Sequence, residues 1–176
     1  MKSFCYNPHY QEQRSNYLLK LDIASIDAPI VELVRGFMEL PFCFTLQSCC
    51  GHFMYSRQKD PYNTEPLSPS DSKEPVEYRI AYLALCIENS EMGMRLFREL
   101  KRVPEIDPSY IQFGSPDWFW DRQVNSYALQ VEPERYRTKD SVRVYYQEAL
   151  YIQGVRDRCL TSLNELLRKS IARKMT

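Results

Sequence analysis

Apolar residues recur along this chain with two different periods, and the switches between them predict its elements. From Tyr10 to about Leu21, Tyr17, Leu18 and Leu21 share one face of a 3.6-residue period, with Gln11, Glu12, Gln13 and Arg14 outward, which predicts a helix. A second helix opens at Asp27, a capping residue type, with Pro29 in its first turn. Ile30, Val31, Leu33, Val34, Phe37 and Met38 form its apolar stripe, and Pro41 stops it. Cys43 to Gln47 and Phe53 to Tyr55 then read as two strands around a tight turn at Ser48 to His52, a hairpin.

Residues 56–76 break the pattern with Pro61, Pro66, Pro69 and Pro75 among polar residues, which predicts a surface loop, either a tolerated insertion or a lid. Tyr78 to Ile87 is nearly continuous in apolar residues and predicts one central strand buried on both faces. Glu88 to Ser90 reads as a turn with a cap, followed by a helix over 91–102 burying Met94, Leu96, Phe97 and Leu100, which Pro104 and Pro108 close. Short strands follow at Tyr110 to Phe113 and Asn125 to Val131, with Asp117 to Trp120 as a strand or an aromatic turn. From Asp140 to about Ala172 the stripe of Tyr145, Ala149, Ile152, Val155, Cys159, Leu163, Leu166 and Leu167 predicts a long helix, with a bend allowed at Gly154. Unbroken, it would run ~50 Å at 1.5 Å per residue, which calls for a break or a partner helix. The expected fold is a single α/β domain over 1–176: a mixed sheet, covering helices and a long C-terminal helix.

Composition narrows the function classes. The 176 residues are enough for one core. Lys plus Arg and Asp plus Glu stand at 23 each, so the basic excess of a protein that grips long nucleic acids is absent and an RNA partner is left open. The same neutrality favours self-association, and a homodimer through the C-terminal helix is one reading. Met1 to Tyr10 holds no apolar core of signal-peptide length, and no apolar run has bilayer-spanning length. The expectation is a soluble, cytoplasmic protein with no membrane partner and six reduced cysteines, of which Cys86 and Cys159 are core.

The chemistry concentrates at Ser48-Cys49-Cys50-Gly51-His52, where a hydroxyl, two thiols, a glycine and an imidazole fall within five residues. Successive N–H groups around Gly51 can cradle an anion or a cofactor. A thiol can act as a nucleophile if a neighbouring charge lowers its pKa. Cys49 and His52 have a metal-ligand spacing that Cys5 and His9 would have to complete, so zinc is disfavoured and no metal residue is assigned. The bland alternative is a tight turn built of small residues. Trp118, Phe119 and Trp120 can stack a base or anchor a loop, and Arg168, Lys169, Arg173 and Lys174 can meet phosphates or simply suit a helix end.

Three segments carry a resemblance: Arg14 to Asp22, Ser25 to Val34 and Phe42 to His52. In order and spacing, over about residues 10–54, they resemble the opening of the wybutosine-synthesis tRNA methyltransferase family, whose third-step enzyme uses S-adenosylmethionine. Its Thr-x-Ser-Cys-Ser-Gly-Arg turn corresponds to Thr45 through His52. The resemblance implies the fold and an S-adenosylmethionine or nucleotide site at this turn, with Thr45, Gln47, Ser48, Cys49, Cys50 and Gly51 as ligand-binding residues and His52 as the catalytic one. Cys50 replaces the family's second serine and His52 its arginine, and no histidine follows His52. Two functions therefore stand side by side: an enzyme acting through this turn, and a non-catalytic binding or oligomerisation protein that keeps the fold.

Overall fold

The computed structural model describes residues 1–70, 72–137 and 139–174, the side chains of Arg173 and Lys174 excepted. Five helices, α1 (Tyr10–Lys20), α2 (Val31–Glu39), α3 (Glu91–Arg102), α4 (Asp117–Trp120) and α5 (Tyr146–Lys174), surround seven strands. The strands are β1 (Cys43–Cys49), β2 (His52–Met54), β3 (Pro75–Arg79), β4 (Ala81–Ile87), β5 (Ile111–Gly114), β6 (Ser126–Val131) and β7 (Ser141–Tyr145). The class is α/β in a single domain with a long C-terminal helix. In place of one mixed sheet there are two, ordered β1-β4-β6-β5 and β2-β3-β7, and every pair in them is antiparallel.

The two sheets share one ribbon. β1 pairs with β4 and β2 pairs with β3, so residues 43–54 and 75–87 form one long antiparallel pair that crosses from the first sheet into the second. Register is kept across the crossing: Cys49 faces Tyr82 and His52 faces Arg79, three positions further along each strand. The expected hairpin over 43–55 is therefore one arm of a larger hairpin whose tip is the 55–74 loop. The expected single strand over 78–87 is likewise interrupted at Ile80, whose N–H leaves the ribbon to donate to the Asp140 carbonyl (3.0 Å).

The central strand β4 is buried almost throughout. Leu83, Leu85 and Ile87 join α2 and α5 in the main core, where Leu33, Val34 and Phe37 meet Ile152, Val155, Leu163 and Leu167. The alternate residue Cys86 faces the other way, directly opposite Phe44, and forms a second small cluster with Tyr10. Tyr10 and Tyr17 of α1 close on the Phe44 ring at 5.7 and 5.0 Å. Arg14, expected outward, turns in: its guanidinium donates to the Met38, Leu40 and Cys43 carbonyls at 2.6, 3.3 and 3.3 Å. It thereby satisfies acceptors that the end of α2 leaves without helical partners.

The expected bounds of α3 hold to the residue, with Ser90 Oγ accepting from the Gly93 N–H at 3.2 Å, while Leu96 and Leu100 are buried and Met94 and Phe97 only half-buried. Two others change. Asp117 to Trp120 is one helical turn, and residues 141–145 form the edge strand β7, so Asp140 caps no helix and Tyr145 is exposed. Val142 and Val144 alternate there with Ser141, Arg143 and Tyr145, a period of two that overrides the helical stripe. The helix that follows is shorter than expected, 29 residues or about 43 Å, and its stripe is buried within the chain as far as Leu167. No helix among the described residues is long and apolar enough to cross a membrane.

Two glycines measure this packing. A Cβ on Gly36 of α2 would lie 2.1 Å from Leu167 Cδ2 of α5, whereas one on Gly154 would meet nothing nearer than Arg158 Nη1 at 3.9 Å. We expect Gly36→Ala to lower unfolding free energy by about 1–3 kcal/mol through overpacking. Gly154→Ala should raise it by roughly 0.5–1 kcal/mol through helix propensity. Urea unfolding midpoints at unchanged slope check both signs.

Candidate functional site

The ribbon bends where it passes between sheets, at Cys50 and Gly51. Gly51 has φ +82°, and a Cβ there would lie 2.8 Å from Ala81 Cβ and 3.0 Å from Tyr78 Cε2, so conformation and space both demand glycine. The Tyr78 ring fills the inside of the bend. Its hydroxyl accepts from the Ala81 N–H and donates to the Val131 carbonyl, both at 2.9 Å.

The polar groups of the turn are engaged by this chain. The Cys50 N–H donates to Asp27 Oδ2 (2.7 Å), the Gly51 N–H to Cys49 Sγ (3.4 Å), and Arg156 Nη1 to the Gly51 carbonyl (3.3 Å). Arg156 is itself buried against the Phe53 ring and neutralised by Asp157 at 2.9 Å. The expected anion cradle is thus filled from within.

His52 is 2% exposed. Its Nδ1 lies 2.9 Å from the Asn63 carbonyl, and its Nε2 lies 3.3 Å from Asp27 Oδ2. A carbonyl only accepts, so Nδ1 carries the hydrogen. Asp27, expected to cap a helix, makes no capping bond and turns its carboxylate to the bend. The sequence gives no signal for this, because Asp before Ala-Pro reads first as a cap. Asp27, Cys50 and His52 each bring one donor atom, a carboxylate oxygen, Sγ and a ring nitrogen, within 4.8 Å of one another. The metal set considered from sequence is not assembled: Cys5 and His9 are exposed, Cys5 is tied through its backbone to Asn125, and neither joins that group.

The remaining site residues do not converge on His52. Gln47 is exposed and Ser48 half-buried on β1, while Thr45 lies past the bulge at Leu46, opposite Leu85, its buried Oγ1 without a hydrogen-bond partner among the described residues. Burial pushes the Cys49 thiol up to about 11, and burial with the Asp27 carboxylate pushes Cys50 up to about 12. Both are protonated at neutral pH, which removes the thiolate a nucleophile needs. A cavity of about 20 Å³ beside the bend, lined by Ile30, Cys49, Tyr82 and Leu163 among others, has room for one water.

The loop over this site is pinned at several points. Besides Asn63, Leu67 is buried and exchanges hydrogen bonds with Gln153 at 2.6 and 3.3 Å, and the Ser68 carbonyl accepts from Tyr146 at 3.1 Å. Elsewhere, Phe119 and Trp120 act as anchors against Tyr82 and Tyr127, while Trp118 stays 61% exposed beneath the Arg122 guanidinium. Arg168 and Lys169 are exposed, and the side chains of Arg173 and Lys174 lie outside the described residues.

No family model matches the chain, and no curated protein matches it. Its fold is similar to a solved structure of the PH1069 protein from Pyrococcus horikoshii, at 13% identity and TM-score 0.54, covering 92% of this chain and 96% of that one. A second structure, of the PH1069 protein from Pyrococcus horikoshii OT3, gives 13% identity and TM-score 0.55 with 98% of each chain covered. At this identity the likeness is one of fold.

The bend and its thiols give two expected outcomes. Gly51→Ala should destabilise the chain by about 2 kcal/mol or more, since a left-handed backbone costs an L-residue roughly 1–2 kcal/mol before any clash; thermal unfolding reads it. The thiols of Cys49, Cys50, Cys86 and Cys159 are raised from an ordinary value of 9.0, to about 11 for Cys49 and about 12 for the other three. The folded chain therefore keeps thiol protons that the unfolded chain releases. That contribution is intact below about pH 9 and is lost as pH rises through the folded values. Urea unfolding across this range should show stability falling from about pH 9, while at pH 8 a thiol reagent should label exposed Cys5 alone in the native chain.

Proposed function

We propose that this chain is a non-catalytic binding protein that keeps its α/β fold without methyl transfer at the Ser48–His52 turn. The observation that carries this reading is the closure of the bend: His52 is 2% exposed and both its ring nitrogens face groups of this chain. The adjoining cavity of about 20 Å³ compares with the roughly 300–1,000 Å³ of a small-molecule site. The large side chains left to solvent instead suit a macromolecular surface. Trp118, Tyr145 and Tyr151 are 61%, 73% and 49% exposed, and tyrosine, tryptophan and arginine are the residues that anchor protein interfaces.

Self-association fits the zero formal net charge. It does not follow from α5, whose apolar stripe is covered within the chain and whose outer face carries Asp157, Thr161, Asn164, Glu165 and Arg168. A homodimer through that helix would rest on polar contacts, with Tyr151 as its large exposed aromatic side chain.

Calorimetric titration of S-adenosylmethionine into the purified protein tests the proposal, with Ser48→Ala and His52→Ala alongside. We expect no heat and no thermal shift up to millimolar ligand, where a ~10 µM site would add about 2.7 kcal/mol of stability at hundredfold excess. Micromolar binding to the wild-type chain, lost in both variants, would overturn the proposal and place a cofactor at the bend.

A further inference from the structure

The hydrogen bonding of His52 creates an electrostatic problem that the protein groups described so far leave unsolved. The Asn63 carbonyl fixes the hydrogen on Nδ1, so a neutral imidazole turns the lone pair of Nε2 toward the Asp27 carboxylate 3.3 Å away. Two lone-pair donors facing each other in a buried place repel. A positive centre between them removes the conflict, either a second proton on the imidazole or a metal ion.

A third donor favours the metal. Cys50 Sγ lies within 4.8 Å of a carboxylate oxygen of Asp27 and a ring nitrogen of His52; its hydrogen bond to the Gly51 carbonyl is a long one, 3.6 Å, and it also interacts with the Asp27 carboxylate. A carboxylate, a thiolate and an imidazole suit a borderline-soft divalent ion of the zinc class, and two anionic ligands leave the buried site neutral. His52 is also oriented as metal-ligating histidines are, its far nitrogen donating to a backbone carbonyl. With bonds of about 2.0–2.3 Å, tetrahedral ligand atoms sit roughly 3.3–3.7 Å apart. The Asp27–His52 pair already meets that spacing, and the Cys50 sulfur lies within 4.8 Å of a ligand atom on each of them.

We propose that Asp27, Cys50 and His52 bind a divalent transition metal of the zinc class. The ion would clasp the segment before α2, the bend and, through Asn63, the loop at the ribbon's tip. On binding, the Cys50 thiol gives its proton to solvent and its sulfur lone pair to the metal, while His52 remains neutral. The proposal is independent of whether the chain binds a cofactor, so failure of either leaves the other standing.

The test uses the full chain, treated with a chelator, exchanged into chelator-free buffer and titrated with cobalt(II) as an optical probe. One equivalent should produce a near-ultraviolet sulfur-to-cobalt charge-transfer band that zinc abolishes by displacement. The band should vanish in Cys50→Ser and persist in Cys49→Ser and Cys5→Ser. Zinc at a hundredfold excess over its dissociation constant should raise the folding equilibrium constant about a hundredfold. A folded wild-type chain that shows no charge-transfer band at saturating cobalt overturns the proposal and leaves the proton as the positive centre. A band that survives Cys50→Ser overturns it equally. If Cys50→Ser fails to fold, wild-type chain saturated with zinc decides: alkylation in mild denaturant followed by mass spectrometry should find Cys50 protected, and an unprotected Cys50 sinks the site.

Discussion

One bend in one two-stranded ribbon is the constraint on which the rest of this structure depends. An antiparallel pair running from β1 to β2 on one side and from β3 to β4 on the other cannot serve two sheets while straight. It turns at Gly51, where the backbone takes φ +82° and where Ala81 and Tyr78 leave no room for a side chain. Tyr78 makes the turn rigid, because its hydroxyl replaces ladder hydrogen bonds by accepting from Ala81 and donating to β6. A buried N–H without such a partner would cost a sizeable share of a domain's net stability. Register survives the crossing for the same reason: nothing is inserted, and the pairing resumes three residues on.

The bend also decides the electrostatics of the candidate site. Bringing Cys50 and His52 to the inside of the turn buries both, and a buried N–H and a buried imidazole each need a partner. Asp27 Oδ2 accepts from the Cys50 N–H and lies 3.3 Å from the imidazole Nε2, Asn63 supplies a carbonyl to Nδ1, and Arg156 holds the carbonyl of Gly51. Four separate stretches of chain thus meet at one turn. Such convergence closes the turn against a small-molecule ligand and gathers the three donor side chains of Asp27, Cys50 and His52. The thiols are desolvated by the same packing, which keeps them protonated and chemically quiet at neutral pH.

Even a shared fold would not carry a shared reaction, because function resides in side chains placed on the fold. The resemblance to a methyltransferase opening expected from residues 10–54 concerns a segment that here forms α1, α2 and one arm of the ribbon. Where that family has arginine at the turn, this chain has a buried His52. A guanidinium offers a fixed charge and five donors to a ligand, whereas this imidazole meets an acceptor of its own chain at each nitrogen.

The helices and core strands were legible because each rests on a local pattern. The stripe of α2, the cap and stripe of α3, and the buried run of β4 are statements about neighbours three or four residues apart, or two. The stripe of α5 from Ala149 to Leu167 was legible in the same way. Partners far along the chain were not legible. That Asp27 would abandon its helix for Cys50, that Arg14 would turn inward, that Ile80 would leave the ribbon for Asp140, and that residues 141–145 would pair with β3 as the third strand of its sheet all depend on contacts across many residues. Pairing choice is a tertiary property: a strand's residues fix its alternation, but which edge it meets, and whether a turn lies open or sealed, is decided only when the whole chain has packed.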